Sequence, residues 1–233
     1  MLNKLIFMTF TVVSMAFAGL NSSFAGPAFG GGCGGKGICG DDLAPLSQEE
    51  IDGLTYMREE EKLARDIYRT MADEWGLIVF THIARSENKH MQAVKHLLDK
   101  YEVDDPVQNA EETATTGDDF TNDNLGDLFD AFKERGLVSV MDALQVGGEI
   151  EETDLRDLLY QIDQSENNDI IRTYEHLLCG AFIHLRAYVK QIEIRGENYE
   201  PLYLTLEELS TIVDSPLARK CGGQQRKHQH RKN

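Results

Sequence analysis

The chain has 233 residues, with 40 Asp and Glu against 23 Lys and Arg, for a net charge of −17. That length suffices for one domain with a sizeable core. The acidic balance excludes a nucleic-acid partner, since phosphate binding needs a basic face, and it is compatible with attracting cations.

Residues 1–25 read as a secretory signal. Lys4 is their only charge, an apolar run follows from Leu5 to Leu20, and Ser23-Phe24-Ala25 offers small residues at the positions a signal peptidase reads. Ala16-Phe17-Ala18 is a second cleavage site of the same kind. The run is about 16 residues, short of the roughly 20 that span a bilayer. The expectation is therefore an exported chain, periplasmic or extracellular, with no stable membrane span after cleavage. Of the four Cys, Cys33 and Cys39 lie close together in GGCGGKGICG and can close a small loop. Cys179 falls in a helical pattern, as a paired or a buried free thiol, and Cys221 lies near the end. Their spacing matches no zinc ribbon or finger, and an exported protein permits pairing.

Residues 26–45 form a Gly-rich flexible leader. Ser47 and Glu50 have the S-x-x-E form of a capping box, so a first long helix starts there and runs to Trp75, with Gly76 as its stop. Its apolar stripe is Leu54, Met57, Glu61, Ala64, Tyr68 and Met71, interrupted by one carboxylate. In REEEK, the register turns Glu61 inward. Glu59 and Glu60 read as a solvated face, and Lys62 and Arg65 point elsewhere. The second helix, from about Val79 to Tyr101, carries Phe80, Ile83, Glu87, His90, Val94, Leu97 and Tyr101 on one stripe. Glu87 and His90, three residues apart, share a face and can reach one metal ion. Taken alone, the pair reads equally as a buried ion pair.

Residues 107–121 read as a loop, and a short helix spans Asn122 to Arg135. The third long helix begins near Leu137, with the stripe Leu137, Met141, Leu144, Gly148, Glu151, Leu155, Leu158 and Ile162. Glu152, one residue round, is the alternative to Glu151, whereas Glu149 and Asp154 are less well aimed. The fourth, Asp169 to Ile194, presents Ile170, Tyr174, Leu177, Ala181, His184, Tyr188 and Gln191. A last short helix covers Thr205 to Val213. The basic tail 216–233 is expected to be disordered, as a solvated segment or a loose binder of metal or acidic surfaces. No strand-like alternation, phosphate loop or nucleophile motif is present.

Four long amphipathic helices thus each break their core stripe with a metal-ligating residue: Glu61, Glu87 with His90, Glu151 (or Glu152), and His184. At about 1.5 Å rise per residue, Glu151 and His184 fall within about 5 Å in height on an antiparallel pair, and Glu61 and Glu87 within about 8 Å. Burying three carboxylates together is costly unless a cation neutralises them. The pattern resembles di-metal carboxylate proteins, in which two helices give one Glu each and two give Glu-x-x-His.

EKLARDIY (Glu61 to Tyr68), SENKH and HLRAY (His184 to Tyr188) resemble segments of the ferritin-like superfamily, rubrerythrin among them. More closely, REEEKLARDIY, the F-x-x-I-A-x-S-E-x-x-H stretch and HLRAY resemble the DUF2202 family, over about residues 48–215. The resemblance implies an all-α, ferritin-like antiparallel four-helix bundle over 46–215, with a short extra helix between helices 2 and 3 and a short C-terminal helix. It implies Fe, Mn or Zn as cofactor, one or two ions, with O2 or peroxide as small partners. Glu87 would bridge, Glu61 and Glu151 would be terminal or bridging carboxylates, and His90 and His184 nitrogen ligands. Tyr68 and Tyr188 would flank the metals or serve as core aromatics. A homodimer is compatible with it. One departure stands out: a second Glu-x-x-His would need Glu at the position of Ala181. The alternative to a reactive centre is a metal-binding or purely structural bundle without turnover.

Overall fold

The computed structural model of the protein describes residues 45–214. The signal segment, the leader through residue 44, Cys33, Cys39, Cys221 and the basic tail lie outside the described residues. The described part is helical, with no strand: α1 (Gln48–Trp75), α2 (Ile78–Lys100), a 3-10 turn (Gly117–Asp119), α3 (Asp123–Gly136), α4 (Val140–Gln164), α5 (Asn168–Glu193) and α6 (Leu206–Asp214). No described helix is long and apolar enough to cross a membrane.

Local chemistry sets most of the boundaries. The Ser47 hydroxyl accepts from the Glu50 N–H at 3.1 Å, and Glu50 Oε2 accepts from the Ser47 N–H at 3.0 Å, completing the capping box. Gly76 ends α1 in the left-handed region, at φ 64°. One boundary differs from the sequence expectation. The third long helix starts at Val140 rather than near Leu137, because Ser139 caps it and accepts from the Asp142 N–H. Leu137 instead closes α3 and is 38% exposed. Cys179 is disulfide-bonded rather than a free thiol.

The short connections 76–77 and 165–167 fold α1 against α2 and α4 against α5 as antiparallel pairs. The two pairs share a core divided into two apolar clusters. One gathers Leu54, Met57, Val94, Leu98, Leu158 and Leu177. The other gathers Leu63, Ile67, Tyr68, Phe80, Leu144 and Tyr188. On α1 the first cluster ends at Met57 and the second begins at Leu63; on α2 the second ends at Ala84 and the first resumes at Val94. Glu61, Glu87 and His90 fall in those gaps.

The charged run of α1 is buried rather than solvated. Glu59, Glu60, Lys62 and Arg65 are each 5% exposed or less. The long connection from α2 to α3 supplies partners to Glu59, Lys62 and Arg65, whereas the Glu60 carboxylate is buried without a hydrogen-bond partner. Arg58 donates to both carboxylate oxygens of Asp105 at 3.0 Å and to the Met91 carbonyl. Arg65 donates to the carbonyls of Ala110 and Glu112 and to Asp66 at 2.7 Å. Lys62 pairs with Asp66 at 2.9 Å and lies over the Phe120 ring. Glu59 accepts from the N–H groups of Thr121 and Asn122 at the start of α3. These bonds satisfy polar groups that burial would otherwise penalise by a few kcal/mol each.

Candidate metal centre

Between the two apolar clusters, the four long helices converge five side chains. Glu61 from α1, Glu87 and His90 from α2, Glu151 from α4 and His184 from α5 are each 6% exposed or less. They form two groups of three, Glu61–Glu87–His90 and Glu87–Glu151–His184, and within each group one ligand atom per residue lies within 4.8 Å of the others. Bonds to first-row metals are about 2.0–2.2 Å, so donors on opposite sides of one ion are about 4 Å apart; each group is sized for one ion. Glu87 belongs to both. Its Oε2 lies 2.6 Å from His90 Nδ1, and its Oε1 2.7 Å from His184 Nδ1. Glu61 stands 3.3 Å from His90 Nδ1, and Glu151 3.4 Å from His184 Nδ1, giving the set an approximate two-fold pattern.

The close contacts do not satisfy the donors. Glu61 Oε1, Glu87 Oε1, His90 Nδ1 and His184 Nδ1 are buried and, beyond these His–Glu ion-pair approaches, have no hydrogen-bond partner. Buried polar atoms are almost always partnered, and five N and O donors converging without mutual bonds fit a cation. The electrostatics agree. Burial, with the carboxylates of Glu87 and Glu151, outweighs the pull of His90 and raises the Glu61 carboxyl to about 7. Burial also raises Glu151. It would raise Glu87 too, but His184 and His90 hold that group well below the ordinary range. Burial would lower His184, yet Glu87 and Glu151 lift it to about 10. Three carboxylates and two imidazoles thus lean on one another for compensation.

Neighbouring residues fix the donors. The Tyr68 hydroxyl donates to Glu151 Oε1 at 2.6 Å and stands 3.2 Å from the Gly147 carbonyl. Tyr188 packs beside Tyr68, with ring centroids 5.4 Å apart, and its buried hydroxyl has no partner. Gly180 was not singled out in the sequence, yet a Cβ there would come within 2.5 Å of His90 Cε1, so the α5 backbone makes room for that ring. A glycine one turn before His184 on the same helix was the available signal. Glu152, the alternative to Glu151, is turned away from the centre. It accepts from the Tyr199 hydroxyl and from the N–H groups of Leu202, Tyr203 and Leu204 at 2.7–3.1 Å, and so anchors the segment before α6. An open groove of about 570 Å³ between α2 and α5, lined by Ile78, Val79, Ile83, Ala187 and Lys89, reaches His184.

With this geometry in hand, comparison with known proteins adds a family. Residues 50–216 match the model of the "Uncharacterized protein domain (DUF2202)". The chain belongs to the DUF2202 family. A relative, the uncharacterized protein MJ0754 of Methanocaldococcus jannaschii, is 43% identical over 175 residues, covering 75% of this chain and 92% of its own. The crystal structure of the hypothetical protein MJ0754 from Methanococcus jannaschii superposes with a TM-score of 0.69 at 44% identity, covering 74% of this chain and 95% of that one. The helical architecture of this DUF2202 chain is therefore similar to that of a crystallised relative.

Proposed function

We propose that this DUF2202 protein is an exported, ferritin-like four-helix metalloprotein that holds iron or manganese, as a two-ion centre, between its long helices. The observation that carries the reading is the pair of three-donor groups sharing Glu87, with four of their atoms buried and unbonded. Carboxylate with imidazole is the donor set of Fe(II), Mn(II) and Zn(II) sites. Glu61 with His90 would hold one ion and Glu151 with His184 the other, with Glu87 contributing to both groups. Bound there, iron or manganese would supply the redox chemistry that reacts with O2 or peroxide.

The chain's own groups prepare the site for such chemistry. Tyr68 orients Glu151 through its hydroxyl. Tyr68, Tyr188 and Phe80 form an aromatic wall beside the donors, with ring centroids 5.4–6.4 Å apart. The groove between α2 and α5 gives a small molecule a path to His184.

Anaerobic addition of Fe(II), followed by O2 or peroxide, tests the reading through near-UV absorbance. Growth of a charge-transfer band in proportion to bound iron, absent from Glu87→Ala, is the expected result. Iron that binds but gives no oxidant-dependent change would reduce the function to metal binding without turnover. Failure to bind iron, manganese or zinc at all would overturn the proposal.

A further inference from the structure

The groove between α2 and α5 carries cations and apolar side chains but no acid. Ile78, His82, Arg85 and Lys89 recur on α2 at steps of four, three and four, so they share a stripe beside the one that holds Glu87 and His90. That stripe lines the groove, and no Asp or Glu lines it among the described residues. Arg85 and Lys89 are exposed, and neither has an ion-pair partner among the described residues, in a chain with 40 acids against 23 Lys and Arg. The walls are apolar: Val79, Ile83 and Ala187, with Ile78 and Ile183 open to solvent at 64% and 37%.

Contacts across the groove fix its direction. The His90 ring lies against Gly180, Glu87 approaches His184 at 2.7 Å, and the Phe80 and Tyr188 ring centroids are 5.7 Å apart, so the two helices run antiparallel. Arg85 and Lys89 stand two residues either side of Glu87, within about 3 Å of its height. Ile78 lies about 10 Å farther along the helix from Arg85. The permanent positive charges are therefore at the height of the donors, beside His184, and an apolar channel leads away from them. Its volume of about 570 Å³ falls in the range of small-molecule sites, about 300–1,000 Å³.

We propose that this groove binds an amphiphilic organic monocarboxylate, with its carboxylate on Arg85 and Lys89 and its hydrocarbon chain along Ile83, Val79 and Ala187. Two cations on one helix face hold the anion, and the apolar walls contribute in proportion to the area removed from water. The run of about 10 Å from Arg85 to Ile78 is about the length of an extended octanoate. A concave site that leads to a donor fits a small molecule rather than a second copy of the chain. The inference names the class of organic co-substrate presented to the metal centre, and for that role it rests on the five donors being one; the binding itself needs no ion.

Calorimetric titration of the metal-free full chain with octanoate tests the site. One octanoate per chain is expected, with acetate and octanol each at least about tenfold weaker, because each keeps only half of the recognition. The double variant Arg85→Gln, Lys89→Gln should keep its circular dichroism and bind octanoate about tenfold more weakly. The Mn(II)-loaded chain adds the position: paramagnetic relaxation of the octanoate protons should decline from the methylene beside the carboxylate to the terminal methyl. No octanoate binding, binding as tight in the double variant, or a relaxation gradient running the other way overturns the proposal. So does a chain that sediments as a dimer, becomes a monomer as Ile183→Asp and takes up no octanoate, because the groove is then an interface between copies. A chain that takes up octanoate but no Mn(II), Fe(II) or Zn(II) overturns the metal-centre reading and the co-substrate role with it, and leaves the carboxylate site standing.

Discussion

Glu151 and Glu152 are neighbours in sequence, both buried, and assigned opposite work, so substituting each by Gln gives a sharp test. Glu152 receives four donors: the Tyr199 hydroxyl and the N–H groups of Leu202, Tyr203 and Leu204. A glutamine amide has one acceptor oxygen, so two of the four bonds are lost and an NH2 group is set against N–H donors. Bonds to a charged acceptor contribute about 1.5–3 kcal/mol each. Leu202 and Tyr203 are half exposed, and water recovers part of the loss, leaving a destabilisation of about 2–4 kcal/mol. For a domain of this size that lowers the melting temperature by roughly 5–15 °C, with metal content unchanged. Glu151→Gln should do the reverse. Its oxygen still accepts from Tyr68, its metal-free stability stays within about 1 kcal/mol of wild type, and the Glu87–Glu151–His184 ion is lost or at least about tenfold weaker. The assays are chemical denaturation with chelator present and elemental analysis after dialysis against metal. Metal loss in Glu152→Gln with an unchanged melting temperature would refute the assignment, as would two variants that behave alike.

Two further predictions concern residues that are not themselves donors. Gly180→Ala gains about 1 kcal/mol of helix propensity, but its Cβ meets the His90 ring at 2.5 Å and costs about 1–3 kcal/mol in overpacking. The metal-free protein should lose up to about 2 kcal/mol by this balance, while calorimetry shows weakened metal binding; a stabilised variant with intact binding would contradict the packing of His90. Glu50 accepts from the N–H groups of Ser47, Glu166 and Asn167 and from the Asn167 side chain, joining the start of α1 to the start of α5. Glu50→Gln should cost about 1–3 kcal/mol at pH 7. These bonds hold the Glu50 carboxyl below its ordinary value despite the opposing effect of burial. Its contribution is therefore present above the unfolded value of about 4.3 and is lost as pH falls through the lower folded value. Urea denaturation should show the gap between wild type and variant closing below about pH 4; a gap that is constant down to pH 3 would rule the mechanism out.

Helical periodicity carried much of this structure in the sequence alone. The stripes on the four long helices were legible, and so were the residues that interrupt them, because a 3.6-residue repeat is set by each helix by itself. Ser47, Glu50 and Gly76 were legible for the same local reason. The solvated reading of Glu59 failed because its partners, Thr121 and Asn122, come from a connection some 60 residues away, and that of Glu60 failed because it is buried next to residues of α4; no local pattern reports either. The start of α4 was misplaced because an apolar Leu137 continued the stripe, while the Ser139 cap, with its acceptor for the Asp142 N–H, fixed the start. The choice between Glu151 and Glu152 turns on the segment from Tyr199 to Leu204 returning to α4. Gly180 likewise takes its meaning from a neighbouring helix, through the His90 ring that it leaves room for.

The most direct measurement is the metal content of the protein purified without chelator, by elemental analysis of the wild type beside Glu87→Ala. Two iron or manganese ions per wild-type chain, falling to none when the shared carboxylate is removed, is the predicted result. A wild type that carries no metal and takes up none from Fe(II), Mn(II) or Zn(II) solutions would mean that the buried acids and imidazoles compensate one another, and that the centre is a structural ion-pair network.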